Sequence, residues 1–312
     1  MPRWTSTAVA LLLGLSLTAC ITVNVRSVPQ PLQETRLSGQ GKNKLLLVEI
    51  AGFLSGQQRG NAVLGDTRPS LVSEVAEIVR KAEKDSRVKG VILRINSPGG
   101  TVTASDTLYH ELLAYKQRAR VPMVAHILDL GTSGAYYIAQ AADRIVAQPT
   151  TVTGSIGVIM VRPSFSGLLG KIGVETAEIT SGPYKGMGSP FHPLDDDERA
   201  LFQTVIDDLY LRFVDAVTAG RPSLARDRVL ELADGRIYTA EQAKTAGLVD
   251  EIGYLDDAVA GLREAAGLDS AVVVTYTRPG EYKGSLYAAP VVNIDLDLWP
   301  AGQPGFLYLW QP

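Results

Sequence analysis

The chain has 312 residues, 46% of them hydrophobic and 20% charged, with a formal net charge of −3 and one cysteine. That is apolar material for a sizeable core, and no basic face or run stands out, so no nucleic-acid partner is expected. A lone cysteine excludes an internal disulfide or multi-cysteine metal site, and His110, His126 and His192 lack metal-ligand spacing and read as structural. No metal or organic cofactor is implied.

The chain opens MPRWTSTAVALLLGLSLTAC, with one arginine before an apolar stretch from Ala8 to Leu17 and then Cys20. About ten apolar residues are too few for a permanent span, which takes roughly 20, and suit the core of a secretory signal. Leu17-Thr18-Ala19-Cys20 resembles the bacterial lipoprotein box, in which cleavage leaves a lipidated cysteine. A plain secretion signal with an incidental thiol is the other reading. On the lipoprotein reading, residues 1–19 are a signal peptide and acyl chains on Cys20 hold the protein on a membrane without spanning it. Ile21 supplies no acidic signal for retention at an inner membrane. The expected place is therefore the bacterial envelope, on its periplasmic or extracytoplasmic face, at the outer membrane where a cell has two.

Residues 20–43 are rich in Gln, Ser, Pro and Gly and read as a tether. Lys44–Ile50 suits a buried strand, and Leu71, Val75, Ile78, Val79 and Ala82 recur at helical spacing. Val88–Asn96 is again strand-like, Leu108, Leu112 and Leu113 mark a helix, and Val121–Leu130 is a further apolar run. A helix at Ser133 and a short strand at Arg144–Ala147 follow. From Asp195 to Gly220 one long helix is predicted, its acidic start suited to the positive end of the helix dipole. Alternating strands and helices imply an α/β domain with largely parallel strands over residues 44–266. Residues 267–312 read as a C-terminal strand and an aromatic, proline-rich tail with Trp299, Phe306, Tyr308 and Trp310. Packing on the body is the default for that tail, with a subunit interface or a membrane surface left open.

The stretch GTSGAYYIAQAAD, Gly131 to Asp143, places Ser133 where an apolar run gives way to a helix. Its hydroxyl can cap that helix or act as a nucleophile held on a tight turn. A nucleophilic serine needs a base, an oxyanion site and a cleft. His126 is too near along the same strand, His110 lies on a helix face and His192 adjoins a proline, so a Ser-His-Asp triad is unconvincing. Lys185, in SGPYKGMGSP, is the other candidate base, because its flanks are apolar and poor in charge. Desolvation is what a lysine base requires, since burial disfavours the ammonium form; a solvated loop lysine is the bland alternative. Asn96-Ser97-Pro98-Gly99-Gly100 ends a strand and could offer free amides to an oxyanion, with the Gly134 amide as second donor; a plain Pro-Gly turn is the alternative.

INSPGG, TSGAYYIAQAADRIVA, TGSIGV, SGPYKGMGSPF and DGRIYTAEQAKTAGLVDEIG occur in that order. Over about residues 44 to 265 the chain resembles the signal peptide peptidase A family in its short single-unit form, within the ClpP/crotonase superfamily. The resemblance implies an α/β fold, a ClpP/crotonase-like spiral of repeated β-β-α units with additional C-terminal helices. It also implies a serine endopeptidase with a Ser-Lys dyad, cleaving hydrophobic peptides such as spent signal peptides. On matching positions Ser133 is the nucleophile, Lys185 the general base, Gly100 and Gly134 the oxyanion donors with Gly99 close by, and Ser155 orients the lysine. Homo-oligomeric rings or domes with shared grooves are implied too, which leaves completion of the dyad between subunits open.

Two features depart from the family pattern. Gly134 is followed by Ala135 where a second glycine is more usual, which should narrow the cleft slightly. The N-terminus offers a lipoprotein signal in place of a membrane-spanning helix, which weakens spent signal peptides as the physiological substrate. Two alternatives keep the fold: a catalytically silent envelope scaffold that binds apolar peptides, and a crotonase-type acyl-CoA enzyme, which has no need of a Ser-Lys pair.

Overall fold

The computed structural model describes residues 30–58, 68–279, 285–288 and 305–310. The expected signal peptide, Cys20 and most of the aromatic tail lie outside the described residues.

A mixed sheet of nine strands forms the frame. Its middle is parallel, in the order β11 (Val272–Thr277), β2 (Lys44–Ala51), β3 (Val88–Ser97), β5 (Met123–Thr132), β6 (Arg144–Ala147) and β10 (Glu251–Ile252). Side chains along a strand alternate between its faces. So β2 sends Leu46, Val48 and Ile50 into a large core and Leu45 and Leu47 into a smaller one. A strand covered on both faces reads as an unbroken apolar run, which is what KLLLVEI is. Each such fully buried leucine or isoleucine contributes about 2 kcal/mol relative to exposure.

The large core is covered by α1 (Leu71–Glu83), α2 (Val102–Ala119) and α3 (Gly134–Ala139). Ser70 caps α1 by accepting from the Ser73 N–H at 3.1 Å, and its apolar stripe Leu71, Val75, Ile78, Val79 and Ala82 is buried. After α4 (Ser166–Lys171) comes the predicted long helix, α5 (Asp196–Gly220). Its acidic start is a capping box, with Asp195 accepting from the Glu198 N–H at 2.7 Å. Helices α6 (Arg226–Leu232), α7 (Ala240–Thr245) and α8 (Leu255–Ala265) follow, and α8 closes the smaller core through Leu255, Ala258 and Leu262. These are the additional C-terminal helices expected from the sequence.

Part of the segment read as a tether is structured. Residues Gln33–Gly39 form β1, antiparallel to β11 at the sheet edge. The buried Lys44 side chain pins it, bonding Glu34 of β1 as well as Asp85 at 2.6 Å.

Two departures from a plain sheet build the site. The strand β5 forks: β6 pairs with Val124–Ile127, while β7 (Val152–Gly154) pairs with Leu130–Thr132 and carries β9 (Ile237–Thr239) antiparallel beyond it. The chain also leaves β3 through Pro98 into β4 (Gly99–Thr101), so that β3, β4 and α2 succeed one another as a β-β-α unit. The strand β4 belongs to a second, antiparallel sheet of three, in the order β4, β12 (Phe306–Leu309), β8 (Ile159–Met160). No helix among the described residues is long and apolar enough to cross a membrane.

Candidate active site

Ser133 stands at the tip of β5, past the fork, as the residue that opens α3. Its backbone has φ 52° and ψ −119°, a conformation rare for any residue but glycine. Strain of this kind costs about 1–3 kcal/mol and persists only where the surroundings enforce it. Here its N–H donates to the Gly154 carbonyl at 2.7 Å and its carbonyl accepts from Tyr137 at 2.9 Å. The hydroxyl makes no capping hydrogen bond to the helix. Ser133 is 1% exposed.

The partner strand ends in the same way. Thr132 of β5 lies in register with Gly154 of β7, so Ser155 follows beside Ser133. Ser155 has φ 50° and is held by its N–H on the Arg236 carbonyl at 2.8 Å. Among the described residues only Arg120, at a helix end, is a third non-glycine with positive φ. Thr153 ties the two strand ends by donating its hydroxyl to the Gly131 carbonyl at 2.6 Å.

The glycine loop faces the same point. Leu54 bridges β4 on one side, donating to the Gly99 carbonyl at 2.9 Å and accepting from the Thr101 N–H at 2.8 Å. Alternation along a strand then turns the Gly100 N–H to the opposite side. Gly134, first residue of α3, has one of the amides a helix leaves without an internal partner. An ideal Cβ on Gly99 (φ 100°) would lie 2.8 Å from the Gly134 nitrogen, so the glycine loop and the start of α3 are in close approach. Gly99 itself offers no donor, because its N–H is bonded to Ser97 Oγ at 3.1 Å. Its contribution is conformational, which corrects the expectation of a third oxyanion amide. Ala135 is fully buried in the large core.

Lys185 is differently placed in one respect: it is exposed where Ser133 is buried. It sits in the turn-rich segment between α4 and α5, its side chain is exposed, and its apolar flanks do not bury it, Tyr184 being half exposed. Within the chain this corrects the expectation of a desolvated lysine. No hydrogen bond or ion pair joins Lys185 to Ser133 or Ser155 among the described residues. The lysine is in an apolar neighbourhood nonetheless: Phe165, Leu168, Ile172, Val174, Ile179 and Phe191 are all exposed around it in sequence, as are Leu201 and Val205 on the first half of α5.

The histidines are engaged elsewhere. His126 is fully buried on β5, with Nε2 3.2 Å from the Gly253 carbonyl, and burial pushes its pKa down. His192 bonds the carbonyls of Pro193 and Gly186 at 2.8 and 3.1 Å, which raises its pKa. His110 is exposed on α2. One contributor has no signal in the sequence, Leu54, whose backbone orients the glycine strand; Ser97, inside the Asn96–Gly100 stretch, donates to the Gly52 carbonyl at 2.6 Å while accepting from Gly99.

Comparison with known proteins bears on this arrangement. Residues 115–269 match the model of Peptidase family S49. A relative from Enterococcus faecium carrying the name signal peptide peptidase SppA is 36% identical over 244 residues, 78% of this chain and 70% of that protein. The chain belongs to peptidase family S49. A relative named as a protease from Methanocaldococcus jannaschii is 41% identical over 196 residues, and the match spans 62% of this chain and 61% of that protein. Among solved structures, a ClpP1 mutant of Listeria monocytogenes aligns over 68% of this chain and 94% of its own, at a TM-score of 0.44 and 16% identity. The S49 match runs from the end of α2 past α8, so Ser133, Gly134, Ser155 and Lys185 lie inside it while Gly99 and Gly100 lie before it.

Proposed function

We propose that the protein is a serine endopeptidase of the cell envelope that cuts hydrophobic peptides with Ser133 as nucleophile and Lys185 as general base. The observation that carries this reading is the Ser133 turn. A hydroxyl is held on a strained backbone, free of any capping bond, next to the Gly134 amide and across from a glycine strand whose Gly100 N–H is turned away from Leu54. Holding donors ready in a site without water is the largest single contribution in many acyl-transfer enzymes.

In this mechanism Lys185, as the free amine, takes the Ser133 proton while Oγ attacks a peptide carbonyl. The Gly100 and Gly134 amides stabilise the tetrahedral oxyanion. Lys185 then protonates the leaving amine as the C–N bond breaks, and water hydrolyses the acyl-serine and regenerates the hydroxyl. Ser155 orients the lysine amine beside Ser133. Lys185 is exposed and has no hydrogen bond to Ser133 among the described residues, so on this reading the lysine at a given Ser133 is that of a neighbouring copy. The exposed apolar side chains of residues 165–191 and of α5 support such an assembly, since patches of this kind mark interaction surfaces.

Substrates on this reading are apolar peptides, such as cleaved signal peptides or fragments of envelope proteins. A lipid on Cys20 holds the enzyme on the membrane face, at the outer membrane in a cell with two.

The test is peptide hydrolysis by the purified full chain, with product mass spectrometry, for wild type, Ser133→Ala and Lys185→Met. Cleavage by wild type and by neither variant is expected. Hydrolysis by Lys185→Met at the wild-type rate would remove the dyad. A wild-type protein that binds apolar peptides without cutting them would turn the reading to a scaffold.

A further inference from the structure

The second sheet contains a segment that the mechanism does not use. The short strand β12, close to the C-terminus, lies between β4 and β8 and is antiparallel to both. Its register pairs Leu307 with Thr101, Tyr308 with Gly100 and Leu309 with Gly99, and Trp310 donates to the Pro98 carbonyl at 3.0 Å.

In an antiparallel pair, residues that exchange hydrogen bonds recur at every second position. The bond at Trp310 and Pro98 therefore assigns the Tyr308–Gly100 pair to the hydrogen-bonded kind. This agrees with the other edge of β4, where Leu54 engages Gly99 and Thr101 and leaves the Gly100 N–H facing β12. The Tyr308 carbonyl thus lies against the amide assigned to the oxyanion. Its oxygen would also be 3.1 Å from a Cβ on Gly134, and a Cβ on Gly99 would fall well inside van der Waals contact with it. The carbonyl oxygen is where that of a scissile bond would be.

The Tyr308 side chain fills a made pocket. It is fully buried, its ring stacks on Tyr137 at 5.3 Å and packs on Phe213 at 4.7 Å, and its hydroxyl donates to the Leu209 carbonyl at 2.7 Å. Tyr137 lies in α3, four residues after Ser133, and Leu209 and Phe213 lie in α5. Aromatic walls with one polar acceptor at the far end suit a phenol ring and its hydroxyl. A β-strand added between two edges is a common way to bind an extended peptide, with backbone bonds for affinity and one pocket for selection.

We propose that β12 is a tethered occupant of the peptide groove, with Tyr308 in the place of the residue that precedes the cleaved bond. Two consequences define the proposal. External peptides must displace β12 to bind, and those with tyrosine at that position are preferred. The proposal rests on the peptidase reading for the meaning of the groove, but the strand and its pocket are tested by binding alone.

The probe is the fluorescein-labelled peptide Gly-Phe-Leu-Tyr-Leu-Trp, with fluorescence anisotropy as readout. The proteins are full chains carrying Ser133→Ala, so that nothing is cut, with and without Tyr308→Ala. If β12 fills the groove nine-tenths of the time, the apparent Kd of the probe falls about tenfold when Tyr308 is removed. The same peptide with aspartate for tyrosine should not bind either protein. Equal affinity for the two proteins, or equal binding of the tyrosine and aspartate peptides, overturns the proposal. Should Tyr308→Ala fail to fold, Tyr308→Phe decides. It keeps the ring contacts and loses the bond to Leu209, so probe binding tighter than with Tyr308 intact supports the proposal and unchanged binding overturns it. Wild-type protein is assayed alongside for peptide hydrolysis. Binding as expected with no hydrolysis sinks the peptidase reading and keeps the groove, and hydrolysis without the binding effect does the reverse.

Discussion

The Ser133 turn and the Lys185 loop are built on opposite plans. The serine is buried, strained and fixed by backbone bonds from β7 and α3, with β4 opposite it. The lysine sits among local turns such as Lys185 N–H to the Gly182 carbonyl at 3.1 Å, with exposed apolar neighbours. Helix α5 joins the two plans: Phe213, Val214, Ala216 and Val217 are buried in its second half, while Leu201, Val205 and Leu211 are exposed before them. One half of the proposed chemistry is thus complete within a chain, and the other is a surface.

The largest expected effect breaks both halves at once in activity alone. Ser133→Ala should remove peptide hydrolysis by about a million-fold, as loss of a serine nucleophile does elsewhere, and Lys185→Met by about a hundred- to ten-thousand-fold. Mixed one to one, the two inactive proteins should recover about a quarter of wild-type activity, since a shared site then finds its serine and lysine on random neighbours. A mixture that stays inactive after subunit exchange places both residues in one chain.

Next in size, Arg221→Ala attacks the buried end of α5. Arg221 is 6% exposed, donates to Asp250 at 2.7 Å and to the Gly247 carbonyl at 3.0 Å, and its loss removes these charge-assisted bonds and leaves a space where a buried side chain stood. A cost of about 2–3 kcal/mol is expected in denaturant unfolding. The same pair gives a pH signature. Burial would raise the Asp250 pKa, but the bonds from Arg221 and the Ile145 N–H outweigh it and leave the pKa lowered. A carboxyl depressed on folding stabilises above its unfolded pKa, about 3.9, and that share is lost as pH falls through the folded value. Wild type should therefore lose stability below about pH 4 more steeply than Arg221→Ala.

Smaller again, Gly99→Ala puts a methyl into a backbone at φ 100° and against Tyr308, and should cost about 1–3 kcal/mol. The smallest effect is the sharpest contrast: Lys185→Met, on an exposed side chain without an ion pair among the described residues, should move stability by no more than about 0.5 kcal/mol. A large loss of Tm there would mean that the lysine loop is packed after all.

Most of the large sheet was legible because its strands are buried on both faces and its helices carry apolar stripes. KLLLVEI, VKGVILRIN and Leu71 to Ala82 declare themselves by composition and period. The strand β1 did not, because QETRLSG is a polar edge strand whose pairing with β11 spans over two hundred residues of sequence. The second sheet was illegible for the same reason, its three strands being two to four residues long and paired across the whole chain. At the site, Ser133 and the glycines are marked by local turn chemistry, whereas the exposure of Lys185 depends on what packs over a loop, which apolar flanks alone do not encode.

The paired positive-φ serines limit what mutation can do here. Threonine offers the same hydroxyl as serine, yet a β-branched side chain is a steric outlier at φ near 50°, the value at both Ser133 and Ser155. The usual conservative exchange is closed at two adjacent positions by the backbone, irrespective of the chemistry above it.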